Sequence, residues 1–507
     1  MDSARRKEAI RRRRRIILND DNGRLSNEHS HTVEGYLSKL VGYTPPTQID
    51  SIWLSVMAWA ENLTYDTKVG EPAGLDPYPA APKADVKHLR RLRHNIKSML
   101  DVGTDPLKAV VDYGHSHNKE VFASFRMNMI KDSWRPDFST RWKREHPECC
   151  LGLRGMFSNC EPEDLRHYYW SALDYAQPAV QDHRLAVLNE ICRDYEVDGL
   201  ELDFWRWPIL FKPSLDGLPV ETQHVEIMNE FMRRIRKQMK TIEDEQNRVI
   251  LIAPRVFDTE DICLRLGLDV RTWLKEDLID LLVVGGDYNH YSIPVSTWSE
   301  LSHQYGVPMY PCMYRSQGLE RDRALAHHFY TCGADGIYTF NFRFPNAVDS
   351  VNEIGDPQLI ARRDKQYAMS GEGNIPHACA PPLLPVRLEP GWTRSVPLLV
   401  SDDVQAAVVD DELAELRLTV SLRGFSSRRH EVRLKVNDLC LGHCPAPQVE
   451  GDVSHMHYTL YTLYTDVRRD PPIVQGTNIV EVALESRGPN PPDLVTVTGL
   501  QLDIKYQ

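Results

Sequence analysis

In the stretch VDGLELDFWRWP, Val197 to Pro208, apolar and polar residues alternate, and two carboxylates, Glu201 and Asp203, fall two positions apart. Successive side chains of a strand point to opposite faces, so Gly199, Glu201 and Asp203 share one side while Leu200, Leu202 and Phe204 share the other. In a closed parallel barrel one of those sides packs on the surrounding helices and the other faces the barrel axis. The stretch therefore predicts a barrel strand that carries charge inward. Glu201 is expected one pleat deeper than Asp203, with their Cα atoms about 6.6 Å apart.

Seven further runs of the same kind accompany it. They are RIILND (15–20), IDSIWLSVMAW (49–59), EVFASFRMN (120–128), RVILIAPRV (248–256), IDLLVVGG (279–286), VPMYPCMY (307–314) and GADGIYTFNF (333–342). Between them lie segments with apolar residues at helical spacing, among them 86–100, 183–195, 225–245 and 321–332. Eight strands, each followed by a helix, predict an α/β fold, a (β/α)8 or TIM barrel. Its surplus length falls in the connections after strands two, three and four, on the face where active sites of such barrels lie. After Asn346 the composition changes. The expected division is a barrel domain over 1–370 with a basic N-terminal arm, a proline-rich linker over 371–386, and a smaller all-β sandwich, jelly-roll-like, over 387–507.

A chain of 507 residues with 42% hydrophobic and 9% aromatic residues is long and apolar enough for more than one packed domain. The net charge of −12 disfavours a nucleic-acid partner, because phosphate binding draws on clustered Lys and Arg. The one strong basic run, Arg11 to Arg15, reads as a solvated arm. No stretch is long and apolar enough for a transmembrane helix, and the start lacks the apolar core of a signal peptide. As written this predicts a cytoplasmic protein; a mis-assigned start codon would admit a secreted or periplasmic one. The ten cysteines are scattered and read as thiols rather than a disulfide framework, and CLGHC (440–444) does not follow a standard zinc spacing. His29 with His31, and His115 with His117, lack a carboxylate at a metal-binding spacing.

The strand motif resembles the fourth strand of the glycosyl hydrolase-like family 10 group and related barrel glycosidases, with its pattern Asp-Gly-hydrophobic-x-x-Asp. NDDNG (19–23), SFRMN (124–128), APR (253–255) and GADGIYTFNF are similar to that group's other strand ends, so the resemblance covers about residues 11–345. The chitinase-type strand DGLDLDWE is related too, but this chain has Trp205 where such enzymes have their acid glutamate. The late strands GTNIVEVAL and LQLDIKY resemble the closing strands of galactose-binding-like modules.

What the resemblance implies is a glycoside hydrolase acting on an oligo- or polysaccharide, with a carbohydrate as substrate and no cofactor or metal. Asp203 is placed as nucleophile or base, Asp287 after strand six as the acid, and Glu201 as a supporting carboxylate. Two carboxyls on one strand lie on the same side of a bound sugar, so the second catalytic group has to come from another strand. Asp20, Asp21, Glu61 and Asp132 compete with Asp287 for that role, and a raised pKa would mark the acid. Arg126, Arg206 and Arg255 end or follow three strands and are expected to hold the carboxylates ionised or grip the substrate. Asp20, Asn128 and Asn341 are expected to shape the pocket, and Trp205 and Tyr288, with Trp207 and Tyr314, to stack on sugar rings. Two alternatives stand beside this: a non-catalytic carbohydrate-binding or scaffold protein, and a metal-assisted hydrolase using Asp20, Asp21 and Asp203. Neither the sugar, its linkage nor the oligomeric state is legible in the sequence.

Overall fold

The structure, a computed structural model, describes residues 3–58, 61–73, 86–161, 164, 166–286, 291, 293–370, 383–425, 430–443, 460–466, 471–486 and 494–507. Eight parallel strands close into a barrel: β1 (Ile16–Asp20), β2 (Ile49–Ser55), β3 (Glu120–Arg126), β4 (Gly199–Asp203), β5 (Leu251–Val256), β6 (Leu282–Val284), β7 (Met309–Tyr314) and β8 (Ile337–Phe340). Each pairs with its sequence neighbours, and β8 returns to β1 with Phe340 beside Asn19. Helices follow every strand, among them Pro178–Asp194 after β3 and the 25-residue Thr222–Gln246 after β4. The longer one starts on a reciprocal cap, in which Glu221 and His224 each bond the other's backbone.

The pleat sorts the side chains as expected. Leu200 and Leu202 of β4, with Phe204 just beyond it, join the large core between strands and helices, while Ile17, Trp53, Phe122, Leu251, Tyr338 and Phe340 pack inside the barrel. Trp53 stacks on Phe122 with ring centroids 4.6 Å apart. Gly199 makes room for this interior, because a Cβ there would lie 2.3 Å from the Phe122 ring.

The basic run is not a solvated arm throughout. The helix Ser3–Arg11 lies across the N-terminal end of the barrel, where Arg5 bonds Asn247 and Arg6 bonds Asp277 and Asp280. Arg14 is buried beneath it, bound to Glu120 of β3 at 2.7 and 2.6 Å, and Arg15 binds Asp50. Each partner sits at the start of a strand, so the arginines neutralise carboxylates that the barrel closure would otherwise bury alone.

The C-terminal part forms two antiparallel sheets. One contains β9 (Lys365–Ser370), β10 (Val386–Leu388), β12 (Leu413–Arg423), β15 (Leu460–Asp466) and β17 (Val495–Tyr506); the other contains β11 (Thr393–Val400), β13 (His430–Val436), β14 (Leu439–His443) and β16 (Gly476–Ser486). Buried residues alternate along them, as in Leu416, Leu418, Val420 and Leu422 of β12. Lys365–Ser370, counted with the barrel on sequence, is a full member of this domain, because it pairs residue for residue with β17. Val386–Leu388 also pairs with β17, while 371–382 of the expected linker lie outside the described residues. The two parts are joined at Asp402, which accepts from Lys365 at 2.8 Å and from Tyr367 and Tyr506 at 2.5 Å, and lies 3.3 Å from His327 of the last barrel helices.

Candidate active site

Glu201 and Asp203 point into the C-terminal half of the barrel and are 0% and 1% exposed. Glu201 is gripped from across the barrel: Asn19 of β1 donates to Oε2 and Tyr338 of β8 donates to Oε1, both at 2.6 Å. Burial and the charge of Asp203 push the Glu201 carboxyl up to about 7, against the pull of Arg255, Ser124 and Tyr338. Asp203 accepts the backbone N–H of Arg206 at 3.1 Å, and its Oδ2 lies 3.7 Å from Arg255 Nη1. The two carboxylates and Arg255 thus form one coupled charge group, with the deeper acid holding a proton more tightly than a free glutamate does.

Arg255 is placed by its surroundings. It follows Asp203 in register on β5, donates through Nε to Gly285 O at 3.0 Å, and lies 4.6 Å over the Phe340 ring and 5.2 Å over the Trp205 ring. Trp205 is fully buried and packs against Gly286, where a Cβ would come within 1.8 Å of the indole. That corrects the expected role of Trp205. It is a wall that packs Arg255 and the start of the loop after β6, not an open face for a sugar. Asp287 and Tyr288, two further expected site residues, lie on that loop outside the described residues.

A second group of charges rims the barrel at the end of β1. Asn341, in a left-handed conformation with φ 58°, accepts from Asp21 N and donates to Asp21 Oδ2, both at 3.1 Å. Arg343 bonds Asp21 and lies 3.4 Å from Asp20. Asp21 loses hydration here, but the Arg126 and Arg343 guanidinium groups outweigh that loss and hold its carboxyl below the ordinary range. Asp20 is more deeply buried, and desolvation pushes its carboxyl up.

Several expected roles change. Asn128 does not face a pocket: its amide donates to Leu173 O and Ile209 O, and its oxygen accepts from Leu173 N and Met129 N. With every bonding position used, it braces the loops after β3 and β4. The Arg206 backbone N–H reaches Asp203, while its guanidinium lies 4.6 Å over the Trp207 ring. Glu61 and Asp132 are engaged with Lys143 and Arg184 in a buried ion cluster beneath the loops. Among the described residues, no group of three or more His, Cys, Asp or Glu side chains is arranged to hold a metal ion. Among the described residues, Asp20 and Asp21 face Arg343 while Asp203 faces Arg255.

Sequence reasoning did not single out Asn19 or Tyr338, yet the alternation that put Glu201 inside gives the same side to Ile17 and Asn19, and to Tyr338 and Phe340. Trp134, 42% exposed on the loop after β3, was also passed over. No helix among the described residues is long and apolar enough to cross a membrane.

No family model matches the chain, and a search of curated proteins finds no match. Solved structures to which the chain shows similarity include a cycloisomaltooligosaccharide glucanotransferase of Paenibacillus sp. (10% identity, TM-score 0.33, 96% of this chain and 57% of that one). An α-L-fucosidase of Paenibacillus thiaminolyticus is 13% identical with a TM-score of 0.41, over 69% of this chain and 50% of that one. An α-galactosidase of Geobacillus stearothermophilus is 10% identical with a TM-score of 0.35, over 98% and 56%. The chain thus spans little more than half the length of these proteins, and likenesses of this strength carry no argument about activity.

Proposed function

We propose that the protein is a glycoside hydrolase in which Asp203 is the reacting carboxylate. The observation that carries this reading is the coupled group of Glu201, Asp203 and Arg255, buried at the C-terminal end of a closed parallel barrel, the end where ionisable groups of this fold do chemistry. Arg255 stabilises the negative charge that a nucleophile or base needs. Glu201, held up to about 7, is about half protonated at neutral pH and so competes for Arg255 less than a fully ionised glutamate would.

Hydrolysis needs a second carboxyl on the opposite side of the scissile bond. We assign that role to Asp287, whose loop leaves the barrel at Gly285 and Gly286, the two residues that Arg255 and Trp205 contact. A relation to the glycosyl hydrolase-like family 10 group is part of the same proposal and rests on the strand-end motifs. So does a carbohydrate-binding role for the β domain. The burial of Asp203, at 1% exposure, favours one competing reading, a barrel that binds glycan without cleaving it. A screen of the purified protein against chromogenic glycosides and polysaccharides separates the two. The hydrolase reading expects sugar release by the native protein and none by Asp203→Asn; equal release by both removes Asp203 from the mechanism.

A further inference from the structure

The run Arg11 to Arg15 joins the first helix to β1, and its guanidinium groups are not used alike. Arg14 and Arg15 hold Glu120 and Asp50, while Arg5 and Arg6 of the helix hold Asn247, Asp277 and Asp280. Arg11, Arg12 and Arg13 are exposed. Among the described residues no carboxylate pairs with any of these three, and the Arg12 guanidinium bonds only a backbone oxygen, Asn118 O at 3.1 Å.

The fourth arginine fixes the segment that carries them. Arg14 Nη1 donates to Ile10 O and Arg12 O, both at 3.0 Å, and its Nη2 donates to Ala9 O at 2.8 Å. Carbonyls in the last turn of a helix form its negative pole and are ordinary partners for nearby arginines. Here Arg14 takes two of them, Ala9 O and Ile10 O, so less of that pole is left for Arg11 and Arg13. The turn is thereby set before any ligand arrives, which lowers the cost of binding one.

The same residues border a space. Arg11, Arg12 and Arg13 line a cavity of about 500 Å3 at the N-terminal end of the barrel, together with His303, Tyr310 and Asp335. Asp335, the one carboxylate lining it among the described residues, is already engaged: its Oδ2 lies 2.7 Å from His303 Nε2 and accepts from Met309 N at 2.8 Å. Neighbouring arginines without a counter-charge repel one another, and an anion that joins them removes that repulsion. Guanidinium groups match phosphate in charge and in paired hydrogen-bond geometry. The volume is that of a small-molecule site. An extended polyanion is disfavoured, because the positive excess is local and the whole chain carries −12.

We propose that this cavity binds a small phosphate monoester, a sugar phosphate or a nucleotide, with its phosphate group on Arg11, Arg12 and Arg13. The site lies at the opposite end of the barrel from Asp203 and does not depend on the role of that residue.

Calorimetric titration of the full native chain at low salt with glucose 6-phosphate, adenosine monophosphate, glucose and adenosine tests the site. At least one ester is expected to bind about tenfold or more tighter than its unphosphorylated counterpart. The preferred ester identifies the organic part, and equal binding of the two makes the phosphate alone the recognised group. Arg11→Gln and Arg13→Gln are each expected to weaken the ester about tenfold, whereas Lys7→Gln, which removes one charge from the same helix outside the cavity, leaves it within about twofold. All three positions are exposed, and unchanged melting temperatures establish that the variants are folded. Binding of neither ester, affinity indifferent to both arginine variants, or equal weakening by Lys7→Gln overturns the site. Heparin and phosphatidylglycerol vesicles complete the set; binding of either one while the esters stay silent overturns the proposal in favour of an extended anionic partner.

Discussion

At the N-terminal end of the barrel, Glu120 takes two bonds from Arg14, at 2.7 and 2.6 Å, and a third from Ser51 at 2.7 Å. At the C-terminal end, Asp203 has its arginine at 3.7 Å and shares it with a second carboxylate two residues away on the same strand. Both ends bury charge, but the first matches one carboxylate to one arginine, whereas the second sets two carboxylates beside one. A buried ion pair with every bond made is a structural plug, and removing one member strands the other. In a carboxylate pair that shares one arginine, the charge on one member depends on the protonation of the other, and the pair titrates as a unit. The comparison sets a structural ion pair against the proposed reacting group within one barrel.

The largest stability effect is expected at the plug. Glu120→Gln leaves Arg14 buried without a carboxylate and should cost about 3–5 kcal/mol in denaturant unfolding. A loss below ~1 kcal/mol would mean that the two ends do not differ in the way described.

Next comes the pH dependence of the other end. Glu201 titrates at about 7 in the folded protein against an ordinary value of 4.5, so between those values the folded state holds more protons than the unfolded chain. Its contribution is fully present below 4.5 and is lost as pH rises through 7, amounting to roughly 3 kcal/mol. Unfolding measured between about pH 5 and pH 8 should show this fall in the native protein and not in Glu201→Gln. Asp402 has the opposite sign: burial raises its pKa, but His327 and Lys365 outweigh that and hold it at about 2, so its stabilisation is lost as pH falls below 3.8. That window does not overlap the one assigned to Glu201.

Smaller effects sharpen the picture of the upper end. Gly286→Ala drives a methyl into the Trp205 indole and is expected to cost about 2 kcal/mol, with a change in tryptophan fluorescence because Trp205 has to shift. Tyr338→Phe removes one donor to Glu201 and should cost about 1 kcal/mol while raising the pH at which stability falls. A fall at the same pH would place the control of Glu201 elsewhere.

How much of this was legible depends on which regularity governs each residue. The barrel was, because eight apolar runs with intervening helices have few other solutions, and the two-residue repeat of β4 assigned Glu201 and Asp203 to the interior correctly. That repeat stops at the strand end. Beyond the strand ends, turns decide direction, and so Trp205, expected to stack on a sugar, is buried, and Asn128, expected to shape the pocket, bonds loop backbone instead. Arg14 was hidden by its neighbours: within a run of five arginines nothing marks the one whose partner, Glu120, lies 106 positions away. Lys365–Ser370 was read with the barrel because it precedes the proline-rich stretch, whereas its pairing is fixed by the last strand of the chain.

The account turns on Asp203 being needed for reaction and dispensable for folding. When Asp203 loses its charge, Glu201 no longer feels that repulsion and can ionise in its place, so Arg255 keeps a counter-charge. The decisive measurement is kcat/KM of Asp203→Asn on a glycan cleaved by the native protein, taken with its unfolding free energy. The account predicts a fall of at least about a thousandfold in rate with stability changed by less than ~1 kcal/mol. A rate near that of the native protein, or a loss of stability as large as that of Glu120→Gln, would contradict it.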